Sequence, residues 1–314
     1  MRIVMFNSLK NKPPIPAKPV AEMPHTQLGL DYKVWCKSQK GNHKWRNIRW
    51  PVLIGVNLLF VMSFFFDLSL LEGSLSGSRA LGFYLIDTYN ALQVILISIP
   101  GGYFPSLTMN FWIGFSTILF LSIMGGRTYC SWVCPYHFLA EMAEKLHDYF
   151  VKKKKIKEHS FNIYLRFVFW VGFLLLALIT KNIVFEDINP VGIISRSLIY
   201  GPGLILLWIL ALLLFEIVYS KRFWCRYVCP VGATWSLTGK AAPLRVKFDH
   251  EKCGYCRDCQ DVCLVPHVLW FVQRGKATQK IHYAGSDCTR CGLCIDTCAG
   301  KALSFTVRGL DKLV

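Results

Sequence analysis

The sequence predicts a mainly α protein: a polytopic four-helix transmembrane domain followed by a small, cysteine-rich α+β domain. Three observations predict it. Four long apolar runs are separated by clusters of lysine and arginine. Eight of the thirteen cysteines fall into two tightly spaced runs near the C-terminus. The chain of 314 residues carries a formal charge of +17, yet 53% of it is hydrophobic. That pairing fits membrane segments with basic flanks better than a soluble fold. A nucleic-acid reader would show a basic face on a recognisable module; the sequence contains none, so nucleic acid is not an expected partner.

Residues 1–47 are basic and contain the stretch "NKPPIPAKPV", expected to be a cytoplasmic, partly flexible segment. The first apolar run begins only near Arg49, so no cleavable leader is expected. Cys36 lies in this segment, outside every motif.

Residues 48–240 form the expected transmembrane domain, with spans at about 50–66, 106–126, 161–180 and 202–219. Their lengths fit the roughly 20 residues that cross a bilayer core. A fifth run, 85–100, holds Asp87 and Asn90 and ends at Pro100; it reads as a re-entrant or interfacial segment. Basic residues set the orientation. Ten precede the first span, one lies between the first and second, eight run from Arg127 to Arg166, two lie between the third and fourth, and fifteen follow the last. By the positive-inside rule both termini and the middle loop are cytoplasmic, in a multi-pass inner-membrane protein. After the second span a surface helix is expected over 135–151: Pro135 suits a first helical position, and Leu139, Met142, Leu146 and Phe150 recur at helical spacing. Lys152 to Lys155 would then meet anionic headgroups.

Residues 241–314 hold the strongest motif. Cys253, Cys256, Cys259, Cys263 and Cys288, Cys291, Cys294, Cys298 each follow C-x2-C-x2-C-x3-C. This is the spacing of a ferredoxin-like domain with two [4Fe–4S] clusters. The first three thiolates of a run converge on one cluster and the fourth reaches the other. Cys253, Cys256, Cys259 and Cys298 are thus assigned to one cluster, and Cys288, Cys291, Cys294 and Cys263 to the second. Gly254 and Gly292 fit the crowded turns around sulfur. Zinc is the competing ion, but zinc sites rarely use two such runs. The intervening "HVLWFVQRGKATQKIHY" reads as two short strands around Arg274-Gly275-Lys276.

Two further cysteine pairs rhyme: "YCSWVCP" after the second span and "WCRYVCP" after the fourth. Cys130, Cys134, Cys225 and Cys229 are expected near one another. They read as ligands of a third metal centre, as redox thiols, or as buried packing residues.

With these motifs, "INPVGIISRSL" and "CLVPHVL", the chain resembles the NapH family, membrane subunits of quinol dehydrogenases, from about Trp50 onward. It shares its cysteine plan with the membrane and ferredoxin part of NosR. The resemblance implies oxidation of a quinol from the membrane quinone pool. It also implies electron transfer to a periplasmic ferredoxin-type subunit or a multihaem c-type cytochrome. The competing classes are a membrane iron–sulfur maturation factor, delivering electrons to metal or thiol chemistry such as copper-enzyme assembly, and a structural anchor.

None of the four spans contains a histidine, so this chain's own spans supply no bis-histidine haem. Quinol is expected near the inner face or mid-membrane, close to the clusters. Glu216, the one acid within the spans, is the candidate proton acceptor; its bland alternative is pairing with Arg127 or Lys221. Asp87, Glu186, Asp187 and Arg196 are outer-side candidates, and His137 and His147 read as interfacial residues of the surface helix.

Overall fold

The computed structural model describes residues 43–66, 71–80, 83–99, 108–273, 276 and 279–308. The segment 1–42 with Cys36, the 100–107 part of the expected outer turn, and Arg274-Gly275 lie outside them. Two compact units emerge, residues 49–242 and residues 1–48 with 243–314.

The larger unit is helical. Helix α1 (Lys44–Phe65) begins in the smaller unit and supplies the larger unit's first long element. A three-stranded antiparallel sheet follows: β1 (Leu71–Ser74), β2 (Gly77–Ala80) and β3 (Phe83–Ile86). Ser74 pairs with Gly77, so Leu75-Ser76 form the first turn. Gly73 sits at φ +91°, and a Cβ there would meet the Gly77 carbonyl oxygen at 2.6 Å. Short helix α2 (Thr88–Ser98) then buries Tyr89, Asn90, Ala91 and Gln93. Helix α3 (Met109–Gly125) packs on β3 and ends at Gly126, φ +54°. A single turn, α4 (Thr128–Trp132), leads into α5 (Pro135–Lys152).

The second half repeats this order. Helix α6 (Leu165–Thr180) is followed by a turn, α7 (Val184–Ile188), the short helix α8 (Pro190–Tyr200), and α9 (Leu206–Val218). A π turn at Trp224–Val228 leads into α10 (Pro230–Thr238). In each half a long helix, a buried eleven-residue helix, an apolar helix, a cysteine motif and a proline-started helix follow one another. Tyr89, Tyr136, Phe185, Ile193 and Trp224 form the core between the halves.

Among the described residues only α1, with 22 residues, is long and apolar enough to cross a membrane. The expected spans at 106–126, 161–180 and 202–219 appear as helices of 17, 16 and 13 residues. At ~1.5 Å per residue they extend about 26, 24 and 20 Å, short of the ~30 Å hydrocarbon core. Their ends are set by backbone: Gly126 and Lys181 both turn to φ +54°, and Pro202-Gly203 precede α9. The segment expected to be re-entrant is helix α2, too short to span. It and the β1–β3 sheet pack among the helices: Tyr89 Oη donates to the Trp170 carbonyl at 2.8 Å, and the Trp235 indole donates to Thr88 Oγ1 at 2.7 Å.

The expected surface helix is α5. Its Met142 and Leu146 face outward. His137 and His147, expected at the interface, are instead buried on its inner face, 4% and 0% exposed.

The smaller unit is α+β. Strands β4 (Leu244–Asp249), β5 (Ile281–Tyr283) and β6 (Leu303–Val307) form an antiparallel sheet in the order β5-β4-β6. Two short helices, α11 (Asp258–Asp261) and α12 (Leu293–Thr297), carry cysteines. The expected strand at 267–273 is a 3-10 helix, Pro266–Val272, burying Val268, Leu269, Phe271 and Val272. Pro266 starts it, and a short apolar run does not by itself distinguish strand from helix. Strand β5 pairs with β4, not with that segment.

Candidate iron–sulfur sites and an apolar cavity

In the smaller unit the two cysteine runs share one backbone. Tyr255 and Arg257 flank Cys256 with φ of +53° and +65°; Arg290 and Gly292 flank Cys291 with +52° and +78°. Each left-handed residue turns its neighbours' N–H groups inward, making a concave anion-binding nest. Tyr255 N donates to Cys253 Sγ at 3.4 Å, and Ala302 N to Cys298 Sγ at 3.3 Å. Gly292 needs its missing side chain, since a Cβ would meet Trp45 at 2.5 Å. Gly254 is not left-handed; Tyr255 bears that conformation instead.

Cys263, Cys288, Cys291 and Cys294 line one narrow cavity with Val246, Val265 and Leu269. Cys253, Cys256, Cys259 and Cys298 lie within electrostatic reach of one another. Burial, then the Cys298 and Cys256 thiols against a backbone hydrogen bond, push Cys253 up to about 12. Such thiols release their protons to metal as it binds. Among the described residues no group of three or more His, Cys, Asp or Glu is arranged to hold a metal ion. Thiolates sharing one zinc at ~2.3 Å would lie within about 4 Å of each other. The C-x2-C-x2-C-x3-C spacing of both runs fits clusters in which each thiolate takes a different iron. The two sets of four fit two [4Fe–4S] clusters, which supply one-electron transfer.

In the larger unit Cys134 and Cys229 are the residues that precede α5 and α10, each followed by proline. Cys134 N donates to the Tyr129 carbonyl at 3.1 Å and Cys229 N to the Trp224 carbonyl at 2.8 Å, so both motifs close the same five-residue turn. Cys134 lies in electrostatic reach of Cys130 and Cys229, and Cys225 of Cys134 and Cys229. All four are free thiols. Burial above all, then the Cys130 thiol, pushes Cys229 up to about 12.

Cys130, Cys134 and Cys229 line a cavity of about 330 Å³. Phe60, Ile118, Leu121, Val231 and Trp235 form apolar walls; Asp87, Ser76, Tyr129 and Asn189 are among the polar groups. Asp87 Oδ2 is buried there with no hydrogen-bond partner. Burial, partly opposed by the Tyr89 backbone N–H and reinforced by Glu186, raises the Asp87 carboxyl to about 7. The cavity joins residues that the sequence assigns to opposite membrane faces. The reason is the fold-back of β1–β3 and α2: Tyr129 Oη donates to the Leu75 carbonyl at 3.2 Å.

The other candidates are held elsewhere. Glu216 is fully buried, accepts from Trp224 N at 3.0 Å, and does not line the cavity. Lys221 pairs with Asp148 and Glu158 instead of Glu216. Glu186 accepts from Ser76 Oγ at 2.5 Å and Asn90 Nδ2 at 2.8 Å, and pairs with Arg196 at 3.6 Å. Asp187 is exposed. His147 Nδ1 bonds the Ile217 carbonyl at 2.8 Å. His137 lies between Arg49 (2.9 Å) and Arg222 (3.4 Å), and burial with both cations holds it neutral. Glu141 and Glu144 take the two arginines, at 2.6 and 2.5 Å.

Two residues escape the cysteine-centred reading. Arg127 and Arg222 each stand three residues before the first cysteine of a pair, making R-x2-C-x3-C-P twice. Both are buried, 3% and 1% exposed. Arg127 Nη2 donates to the Cys225 carbonyl at 3.3 Å, crossing from one motif to the other.

Comparison with known proteins places this arrangement. The chain is 32% identical over 274 residues to the ferredoxin-type protein NapH of Escherichia coli (strain K12), covering 84% of this chain and 91% of that protein. The chain belongs to the NapH family of ferredoxin-type proteins. NapH of Haemophilus influenzae is 30% identical, over 81% of this chain and 87% of its own length. The methylamine utilization ferredoxin-type protein MauN of Methylorubrum extorquens is 31% identical, over 85% and 90%. Residues 107–157 and 200–248 match the family described as a 4Fe-4S binding domain. These NapH-family segments carry the two R-x2-C-x3-C-P motifs, not the C-terminal runs. No solved structure matches the chain. The chain is an iron–sulfur electron-transfer protein of the ferredoxin type.

Proposed function

We propose that this protein is a multi-pass membrane subunit that oxidises quinol and passes the electrons, through its iron–sulfur clusters, to partner iron–sulfur or cytochrome proteins. The observation that carries this reading is the 330 Å³ apolar cavity with one carboxylate oxygen lacking a hydrogen-bond partner and three thiols in its wall. Cavities of this size, mostly apolar with a few convergent polar groups, are ligand sites. A quinol ring needs apolar walls, and its oxidation to quinone releases two electrons and two protons. Asp87 is the group placed to accept a proton, in preference to Glu216, which stands outside the cavity.

Membrane residence is supported by exposed apolar faces on every long apolar helix. Leu58, Leu59 and Met62 of α1, Phe120 and Leu121 of α3, Val168 and Leu175 of α6, and Leu207 and Leu214 of α9 are all exposed. Such contiguous apolar surface is unstable in water. The family resemblance points the electrons to a periplasmic ferredoxin-type subunit or a multihaem c-type cytochrome.

The test is anaerobic titration of the purified protein with a soluble quinol while the iron–sulfur EPR signals are followed. Reduction of the signals by quinol is expected. If quinol leaves every signal unchanged with electron acceptors present, the reading is wrong; copper-dependent turnover in its place would mark a maturation factor.

A further inference from the structure

Oxidation of a quinol to quinone releases two protons, and Asp87 holds only one of them at a time, on an oxygen buried in the cavity wall. The other proton needs its own way out. We propose that Glu186 is the second proton acceptor and its exit to water, and that the Ser76 hydroxyl relays the proton to it through the cavity wall. The relay rests on the quinol reading and gives it a second proton path.

Ser76 lies in the turn between β1 and β2, is 4% exposed, and lines the cavity. Its Oγ donates to Glu186 Oε1 at 2.5 Å. Glu186 does not line the cavity, so the serine stands between the two. Ser74 Oγ lies 3.1 Å from Ser76 Oγ. A hydroxyl has one proton and two lone pairs. With its proton on Glu186 and one lone pair turned to Ser74, Ser76 keeps one lone pair for a donor inside the cavity, and a quinol O–H is such a donor. The step balances. The quinol O–H bond breaks and an O–H bond forms at Ser76; the old Ser76 O–H bond breaks and one forms at Glu186. Ser76 ends as it began, the Glu186 carboxylate has become the acid, and the quinol's electrons pass one at a time to the iron–sulfur clusters.

Glu186 is placed to take a proton and to lose it again. Asn90 Nδ2 donates to Oε2 at 2.8 Å and Asn189 Nδ2 at 3.4 Å, while Arg196 Nη1 lies 3.6 Å from Oε1. All these partners are donors, as an ionised carboxylate requires. The Glu186 side chain is 23% exposed and that of Arg196 42%, so the group behind the wall also reaches solvent. Among the described residues, the charges that face it are Arg196 on α8 and Asp87 at the start of α2; Asp187 is exposed. Backbone holds the contact closed. A Cβ on Gly192 of α8 would meet Glu186 Oε1 at 2.5 Å and Ser76 Oγ at 2.7 Å, and Leu75 N in the same turn donates to Ser195 Oγ at 3.1 Å. A purely structural tie between the turn and α7 explains the Ser76–Glu186 bond. It does not explain why the serine that makes it forms the cavity wall while the glutamate opens to water.

The test mixes full-length protein, purified anaerobically in detergent, with a soluble quinol and follows cluster reduction by stopped-flow absorbance, with and without formate as a small carboxylate. Glu186→Gln is expected to slow reduction on the order of 10²-fold, and formate is expected to restore most of that loss. Ser76→Ala, which leaves the Glu186–Arg196 pair in place, is expected to slow it similarly, and the double variant to be no slower than either single one, since the two groups act in series. A wild-type rate in either single variant overturns the relay and leaves the quinol reading standing. So does a slow Glu186→Gln that formate does not restore, which marks a structural brace. Wild type that quinol never reduces removes the quinol reading, and the relay with it.

Discussion

Asp87 is the residue whose meaning changes most once the chain is folded. In the sequence it is one of several acids in a lysine-poor loop, next to Glu186 and Asp187 in the reading if not in the chain. In the structure Glu186 is occupied by Ser76, Asn90 and Arg196, while Asp87 keeps a buried oxygen free. Its carboxyl, raised to about 7, is poised to take a proton near neutrality. The sign follows from that role. Only the carboxylate accepts a proton, so quinol oxidation by wild type should rise as pH increases through about 7. Asp87→Asn is expected to slow quinol-driven cluster reduction on the order of 10²-fold and to flatten that rise, read by stopped-flow absorbance across pH. A pH profile unchanged in the variant would remove Asp87 from the reaction. What the sequence hides here is tertiary: nothing local to Asp87 announces that β1–β3 and α2 fold back to the cysteines. Arg127 and Arg222 are the opposite case. Their repeat is written in the sequence at fixed distance from the cysteines; only their burial needs the fold.

At the scale of elements, the cysteine loops show which part of a fold is local. The C-x2-C-x2-C spacing dictates a tight turn, and both runs adopt the same pair of left-handed residues. That much is legible because three-residue spacing leaves the backbone few ways to aim three sulfurs inward. Which residue bears the strain is less legible: Tyr255 and Arg290 take φ near +53° where a glycine at 254 looks the better candidate. Gly292 is the position with no latitude. It is left-handed, and Trp45 lies where a Cβ would be. Gly292→Ala is therefore expected to weaken the cluster bound by Cys291 and Cys294. The left-handed backbone alone costs a Cβ about 1–2 kcal/mol, and displacing Trp45, which also packs edge-on against Phe305 at 4.7 Å, adds to it. Iron content and EPR of the reconstituted variant check this; full cluster occupancy at wild-type stability would contradict it. The segment Pro266–Val272 is illegible for a different reason. Five apolar residues in a row satisfy strand and helix alike, and the outcome is decided by the fit of Val268, Leu269 and Phe271 into the core.

For the whole molecule, the alternation of apolar runs and basic clusters marks four helices; among the described residues the runs appear as one helix long enough to span and three shorter apolar ones. Their ends are shorter than the runs because glycine, proline and left-handed lysine interrupt the backbone before the apolar composition ends. Composition reports the environment of a segment; hydrogen bonding sets its limits. The prediction at this scale concerns the exposed apolar faces. Full-length protein expressed in a bacterial host is expected to stay with the membrane fraction after alkaline carbonate washing and to leave it only in detergent. Release by the wash would show a peripheral attachment and end the multi-pass reading. The repeat of long helix, buried short helix, apolar helix and cysteine motif also belongs to this scale. Each half carries one R-x2-C-x3-C-P motif.

One contact sets an order on biosynthesis. Asp296 accepts from the backbone N–H groups of Trp45 and Arg46, at 3.1 and 3.0 Å, and so caps the start of α1 from 251 and 250 residues away. A ribosome makes α1 well before it reaches Asp296. Until then α1 has no such cap; its opening turn is closed only after the second cysteine run has emerged. Polypeptide made some 250 residues later therefore completes the opening turn of α1, and a chain cut short before Asp296 lacks that cap.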